Sequence, residues 1–333
     1  MKISDFGGET GLIRLISEKY GGAADRPDVE LGIGDDAAII RTADGLLIVT
    51  TDLLLESTHF RMDLIDAYLL GWKSAAVNIS DIAAMGGEPT CCFVSIGLPD
   101  VDVSIVEQVY AGILDVSARY GSVIAGGDTV SSDCGIVINV TQLGVVEPQF
   151  AARRAGAKPG DTIIVTNTLG DSRAGLELLL KHGLSGARKI SDRLVQAHLQ
   201  PEPRVREARA AVRTGHLHAM MDLSDGLAAD LPKLCEASGV GARVDSDKLP
   251  LSAEIRNASA DLQAHPRLLA ASGGEDYELL IACDARHASA VIDAISATGS
   301  TASAIGECTL EHGVRLVNAG VEGPMPASWE HFQ

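Results

Sequence analysis

Apolar residues in the N-terminal half of the chain recur with two spacings, one typical of strands and one typical of amphipathic helices. The longer helical pattern ends at Gly86-Gly87, and the next one leads through Gly121 into a short apolar run. This alternation predicts an α/β unit with, in chain order, a strand at 46–50, a helix at 65–85, a strand at 91–96, a helix at 105–120, and strands at 122–125 and 136–145.

Residues 147–161 mix proline, glycine and charged residues between two apolar strands, a composition typical of a linker. A chain of 333 residues exceeds the usual size of a single core. We therefore expect two domains, residues 1–148 and 149–333. For the second we predict a strand at 162–166, a helix at 173–182, a helix after Asp225 and a strand at 277–283.

Composition excludes several classes of protein. Apolar residues make up 46% of the chain and charged residues 22%, as in ordinary globular proteins. No apolar run approaches the roughly 18 residues that span a bilayer, and the N-terminus lacks the pattern of a signal peptide. We expect a cytoplasmic protein with no membrane partner. The net charge of −18 disfavours nucleic acid as a partner.

The six cysteines lack the CxxC spacing of a zinc site, so we expect reduced thiols in the core. His216 and His218 alternate like strand or loop residues with no third ligand nearby, and we assign them no metal.

Acidic residues interrupt apolar runs at six places, nearly always beside glycine, serine or threonine. Carboxylates that converge must be protonated or neutralised by cations, and Mg²⁺ favours oxygen ligands that it shares with phosphates. If strand ends carry these acids into one crevice, the sequence predicts several partial Mg²⁺ sites. The six motifs are GIGDDAA (Asp35, Asp36), VTTD (Thr50, Thr51, Asp52), VNISD (Asn78, Asp81), AGGDT (Gly126, Gly127, Asp128), MDLSDG (Asp222, Ser224, Asp225) and GGEDYE (Glu275, Asp276).

Each motif also has a plain structural interpretation. Asp beside Gly is a common turn or helix cap. The helix start at Gly170-Asp171-Ser172 offers N–H groups to a phosphate, although simple capping explains it equally well. Lys73 and Arg154 are cations that can contact phosphate oxygens or lie on a solvated face.

Two further side chains are candidates for substrate contact. His59, in ESTHF, is able to hydrogen-bond a phosphate or a pyrimidine. The alternative is that it is an ordinary surface or core histidine without a role in binding. Trp329, in the tail SWEHF, suits a cationic ring through cation–π attraction, and its alternative role is to anchor the C-terminus.

Taken in order, the motifs resemble the thiamine-monophosphate kinase family over nearly the whole chain. The residues that carry the resemblance are GLIRLI, GDDAA, TTDLLLESTHF, KSAAVNISDIAAMGGEP, AGGDT, RAGAKPGD, TLGDSRAGL, MDLSDGL, GGEDYELL and SWEHF. One departure is ESTHF, where the family usually has a glycine and a β-branched residue between the acid and the histidine.

The resemblance implies a two-domain α/β (α+β) fold like that of aminoimidazole ribonucleotide synthetase. It implies that residues 1–148 bind ATP and Mg²⁺ and pair through a mixed sheet into a dimeric β-barrel. It implies that residues 149–333 complete the nucleotide and substrate site.

The same resemblance implies roles for individual residues. Several Mg²⁺ ions would be held by Asp35, Asp36, Thr50, Thr51, Asp52, Asp81, Asp128, Asp222 and Asp225, of which Asp52, Asp81, Asp128 and Asp222 would be catalytic. ATP would contact Tyr110, Gly127, Asp128, Arg154 and Ser224, and thiamine phosphate would contact His59, Glu275 and Trp329.

The implied reaction is direct transfer of the ATP γ-phosphate to thiamine phosphate, giving thiamine diphosphate. Other members of the superfamily are alternatives. Selenophosphate synthetases carry a reactive cysteine near the N-terminus and hydrogenase-maturation proteins a C-terminal cysteine tail, whereas here the cysteines begin at Cys91 and end at Cys308. A noncatalytic nucleotide or metal sensor is the alternative from another class.

Overall fold

The computed structural model describes residues 8–21, 26–262 and 264–327. Its helices are α1 Gly8–Tyr20, α2 Ala67–Ala84, α3 Val103–Arg119, α4 Asp171–Leu199, α5 Val205–Arg213, α6 Leu227–Ser238, α7 Ala253–Asn257, α8 Pro266–Ser272 and α9 Ala288–Ser296. Its strands are β1 Val29–Leu31, β2 Ala38–Thr42, β3 Gly45–Leu55, β4 Glu88–Leu98, β5 Val123–Ser131, β6 Val137–Val146, β7 Thr162–Thr166, β8 Leu217–Asp222, β9 Gly241–Asp245, β10 Leu279–Cys283, β11 Ala302–Thr309, β12 Gly313–Asn318 and β13 Val321–Pro324.

The N-terminal sheet has six strands in the order β1-β2-β3-β6-β4-β5. Strands β3 and β6 alternate buried with more exposed positions, so only one sheet face is covered. Helix α2 packs on that face, and α3 packs against α2. The other face and the edge strand β5 remain exposed. Asp66 accepts a hydrogen bond from the Leu69 amide and so caps the start of α2.

The C-terminal sheet has seven strands in the order β13-β12-β9-β11-β7-β10-β8. Strands β7 and β10 are buried nearly throughout, as expected for central strands. The predicted boundary at residues 148–149 falls between the two sheets, and as a boundary it stays a prediction. The largest apolar cluster includes residues from both halves, such as Trp72 of α2 and Val212 of α5, so the halves share a core.

The sheets are mixed and mainly antiparallel, with parallel pairing at β4/β5 and β9/β12. The expectation that the acids sit at the ends of strands is wrong in detail. Asp81 projects from helix α2, and Asp52 and Asp128 lie within strands. The acids that meet do so because α2 packs against β8 and against β3, which pairs with β2.

Helix α4 is longer than the predicted 173–182 because it continues across breaks at Gly183 and Ser191, whose backbone angles are not helical. Four of the six cysteines are buried, which fits core thiols, but Cys134 is exposed. Among the described helices, none combines the length and the apolar character that crossing a membrane requires.

Candidate functional site

Three carboxylates from distant parts of the chain converge where the two halves meet. Oxygens of Asp36, Asp81 and Asp222 lie within 4.8 Å of one another. They come from the turn before β2, from helix α2 and from the end of β8. Such proximity of like charges is unfavourable unless a proton or a cation separates the groups.

Hydroxyl groups orient two of these carboxylates. The Thr50 hydroxyl donates to Asp81 Oδ2 at 2.5 Å, and the Ser80 hydroxyl donates to Asp222 Oδ2 at 2.5 Å. Thr50 and Asp52 point to the same side of β3 because side chains alternate along a strand. Strand β3 and helix α2 thus bring their polar side chains to one point.

Burial raises the pKa of these three acids and also that of Asp52, whose charge acts on Asp81. The pKa of Asp36 rises to about 6 through desolvation and the neighbouring Asp35, against the opposing charge of Arg154. The pKa of Asp52 rises to about 6 through desolvation and the Asp225 charge. Desolvation and neighbouring carboxylates raise the pKa values of Asp81 and Asp222 well above the usual range. Without a bound cation, the group is expected to retain protons near neutral pH.

Arg154 is the cation closest to this group. Its Nη2 lies 2.5 Å from Asp36 Oδ1, and its backbone N–H donates to Asp35 Oδ2 at 3.1 Å. The carboxylate oxygen Asp36 Oδ2 is buried and has no hydrogen-bond partner among the residues that the structure describes. One guanidinium thus neutralises only part of the charge of the three acids.

The donor set fits Mg²⁺. All the converging ligands are oxygens, Asp36 Oδ2 has no partner within the described part of the chain, and hard divalent cations prefer carboxylate oxygen. We refer to Asp36, Asp52, Asp81 and Asp222 as the acid cluster.

A cavity of about 540 Å³ opens beside the acid cluster. Asp52, Asp81, Ser224 and Asp225 line one part of it. Apolar side chains line another part, namely Leu54, Phe60, Leu64, Ile65, Val77, Leu176, Leu179 and Leu180. The cavity therefore offers a polar, acidic region for phosphates and an apolar region for an organic group.

His59 and Glu275, both predicted to contact substrate, line this cavity. The Leu55 amide donates to His59 Nδ1 at 3.0 Å, so a neutral ring carries its proton on Nε2. The unusual loop ESTHF is accommodated by Ser57 in the left-handed region, at φ 69°. A glycine adopts this conformation with less strain.

Other predicted site residues lie apart from the acid cluster. Thr51 is on the opposite, exposed face of β3, where its hydroxyl lies 3.1 Å from that of Thr141. Asp128 lies on edge strand β5 and lines a separate cavity of about 420 Å³, and Gly127 precedes it. Tyr110 lies on α3, outside the lining of the main cavity. Trp329 lies outside the described residues.

The structure decides between alternatives left open by the sequence at two places. Half-buried Asp276 accepts hydrogen bonds from Gly170 N at 2.6 Å and Ser172 N at 3.2 Å, so it caps α4 and occupies the proposed phosphate position. Lys73 does not lie on a solvated face, because it is buried and bonded to Glu275 at 3.1 Å.

Three polar residues at the site were not predicted. Ser80 binds Asp222, and its position directly before Asp81 was the available signal. Lys233 binds Asp225 at 2.6 Å and Asp230 at 2.8 Å. His198 lines the cavity, and no motif in the sequence singled it out.

Comparison with known proteins agrees with this architecture. Residues 34–146 match the model of the AIR synthase related protein, N-terminal domain, and residues 158–317 match that of the C-terminal domain. The predicted two-domain α/β class is thereby confirmed.

Full-length relatives are thiamine-monophosphate kinases. That of Escherichia coli O157:H7 is 36% identical over 98% of this chain and 97% of its own, and that of Aquifex aeolicus is 35% identical over 98% of both. A solved structure described as AaThiL complexed with AMPPCP and TMP superposes with a TM-score of 0.84 at 34% identity, covering 100% of this chain and 99% of that one. The Escherichia coli hydrogenase maturation protein HypE, at 21% identity and a TM-score of 0.69, shares the fold. The chain belongs to the AIR synthase related family and, within it, to the thiamine-monophosphate kinases.

Proposed function

We propose that this protein is an ATP-dependent kinase that phosphorylates thiamine phosphate to thiamine diphosphate. The observation that carries the proposal is the acid cluster beside a cavity with an apolar region, in a chain similar to thiamine-monophosphate kinases over nearly its full length. The solved relative bound to AMPPCP and TMP supports the same pair of ligands.

The acceptor in this reaction needs no general base. A phosphate monoester has a second pKa of about 6 and is largely ionised at neutral pH. The task of the protein is to bring two polyanions together in line, which depends on positioning and charge stabilisation. Transfer is therefore direct, with no phosphorylated protein as an intermediate.

Several Mg²⁺ ions serve this reaction in our proposal. Asp36, Asp52, Asp81 and Asp222 would hold them, with Asp35, Thr50 and Asp225 assisting. When bound, Mg²⁺ would neutralise the carboxylates and the phosphates of both substrates. Arg154 and Ser224 are proposed to contact ATP, and His59 and Glu275 to contact thiamine phosphate. Roles for Tyr110, Thr51, Gly127, Asp128 and Trp329 stay predictions from the sequence, as does the cytoplasmic location.

A homodimer is the proposed assembly. The uncovered face of the N-terminal sheet exposes Leu53, Phe93 and Val130 at 50%, 41% and 55%, a surface that a second copy of the sheet would cover. Thr51 and Asp128 lie on this face, so association would change their surroundings. Sedimentation analysis should give twice the mass of one chain, and Phe93→Glu should yield a monomer.

A coupled assay of ADP release tests the function most directly. We expect release with thiamine phosphate and Mg²⁺, and none with free thiamine or aminoimidazole precursors. Turnover with another acceptor instead would favour the hydrogenase-maturation-like or selenophosphate synthetase-like alternative. ATP binding without any turnover would favour the sensor alternative.

A further inference from the structure

Lys73 is a cation in an unusual position. Its side chain is 2% exposed, and its ammonium nitrogen lies 3.1 Å from Glu275 oxygens. A buried lone charge is costly, so each partner requires the other. The residues are 202 positions apart in the sequence, and the pair joins helix α2 of the first half to the loop before β10 of the second.

The backbone holds Glu275 in a fixed orientation. Glu275 and Tyr277 both take left-handed conformations, with φ values of 65° and 51°, which are strained for residues other than glycine. The Glu275 amide donates to Ser224 O at 2.7 Å and the Tyr277 amide to Leu223 O at 2.9 Å. These bonds maintain the strained loop and leave the Glu275 side chain 30% exposed at the cavity wall.

His198 lies behind the same carboxylate. Its Nδ1 is 3.1 Å from Glu275 Oε2 and 3.1 Å from the buried Ser172 hydroxyl. Burial, with the Lys73 charge, lowers the pKa of His198 to about 3, so the ring is neutral near pH 7. Glu275 is thus held by one cation and flanked by a neutral ring. A carboxylate has about four acceptor positions, and Lys73 does not use them all.

One face of α2 connects this pair to the acid cluster. Lys73, Val77 and Asp81 recur every four residues and all line the cavity. Eight residues of helix correspond to about 12 Å along the axis. The helix therefore sets the separation between the acidic region, where a phosphate binds, and the Glu275 carboxylate.

We propose that Lys73 and His198 are positioning residues that direct the Glu275 carboxylate into the cavity, where it accepts a hydrogen bond from the amino group on the substrate's pyrimidine ring. The inference rests on the proposed function and adds how the site selects its organic group. Selection follows because a site built around a hydrogen bond rejects an analogue that cannot make it, and because α2 fixes the distance from this acceptor to the phosphate.

The test compares thiamine phosphate with oxythiamine phosphate, in which an oxo group replaces the amino group. Lys73→Met should raise KM for thiamine phosphate about tenfold, with kcat changed less than about threefold, because positioning affects binding rather than transfer. The preference over oxythiamine phosphate should also fall about tenfold or more, and KM for ATP should stay unchanged. Lys73→Arg, which keeps the charge, should recover part of the preference. His198→Phe should show a smaller effect in the same direction.

Lys181→Met is the matched control, since this exposed lysine donates to the Asp261 carbonyl and is not part of the cavity lining, and it should behave like the wild type. A folded Lys73→Met protein with wild-type KM and preference would overturn the inference. If that variant does not fold, the double variant Lys73→Met/Glu275→Leu removes both charges and the hydrogen-bond acceptor, and retention of the preference there overturns it equally. A wild-type protein that phosphorylates no thiamine phosphate overturns the proposed function as well.

Discussion

Two regions of the molecule bury carboxylates in opposite ways. Around Glu278 the chain supplies every partner, because Arg204 donates at 2.7 and 2.8 Å, Thr166 at 2.6 Å and Asn167 at 3.1 Å. In the acid cluster Arg154 contacts Asp36, and Asp36 Oδ2 has no hydrogen-bond partner among the described residues.

The difference indicates what each region is for. A carboxylate that its own chain neutralises stabilises the fold, whereas carboxylates assembled without enough cations are suited to an external one. The raised pKa values of Asp36 and Asp52, to about 6, are the cost of that assembly in the metal-free protein. Substitutions should therefore have opposite consequences in the two regions.

The largest effect is expected from Asp81→Asn, which should lower kcat by about 10²–10⁴-fold, since it removes a charge that stabilises phosphoryl transfer. Asp52→Asn should act similarly. Asp81→Asn should also raise the unfolding free energy of the metal-free protein, because it relieves repulsion among neighbouring acids. Steady-state kinetics and thermal melts without Mg²⁺ measure the two effects. Near-wild-type turnover in either variant would contradict the metal assignment.

The Glu278 region should respond in the reverse manner. Arg204→Met should lower the unfolding free energy by about 3–5 kcal/mol, because Glu278 would be buried without its cation. Kinetic parameters per folded molecule should change little. Chemical denaturation measures the loss, and Arg204→Met/Glu278→Gln should recover part of it. Equal stability of the single variant and the wild type would remove the contrast between the regions.

The pH dependence of stability sharpens the comparison. Carboxyl groups whose pKa is higher in the folded than in the unfolded protein bind more protons when folded, so folding is favoured as pH falls. Asp36 and Asp52, with pKa values of about 6 against about 3.9 unfolded, should make the metal-free protein more stable near pH 5 than near pH 7.5 by about 1–3 kcal/mol. Denaturant titrations at both pH values measure this. Asp36→Asn should reduce the difference, and an unchanged difference would exclude the cluster as its source.

The smallest effect is expected at Ser57, where backbone conformation rather than charge is involved. Ser57→Gly should change the unfolding free energy by less than about 1 kcal/mol, because relief of the left-handed strain is offset by greater freedom of the unfolded chain. KM for thiamine phosphate should stay within about twofold. A large rise in KM would show that Ser57 itself orders the loop that carries His59.

The sequence pattern predicted the elements that depend on interactions between neighbouring residues. Helix α2, predicted at 65–85, is Ala67–Ala84, and strand β7 matches its prediction of 162–166. The motifs with Asp36, Asp81 and Asp222 were correctly expected to converge. Side chains alternate along a strand, so Thr51 in VTTD points away from Thr50 and Asp52. Placing Thr51 on the uncovered side, however, requires the register of β3 and knowledge of which of its faces is covered.

What the sequence could not supply were contacts between distant segments. Lys73 meets Glu275 across 202 residues, and Asp276 caps a helix that begins more than a hundred residues earlier. Each pairing depends on how the two halves pack, which no local periodicity contains. The placement of Asp128 on an open sheet edge follows likewise from the strand order.

The central claim, that the acid cluster binds Mg²⁺, is tested most directly by calorimetric titration of Mg²⁺ in two buffers of different ionisation enthalpy. The titration is made at pH 6 with a nonhydrolysable ATP analogue and thiamine phosphate present. We predict that binding releases protons, because bound Mg²⁺ requires ionised carboxylates, and that Asp36→Asn weakens binding and reduces the release. Mg²⁺ binding with no proton release, and with the same affinity in Asp36→Asn, would contradict the account.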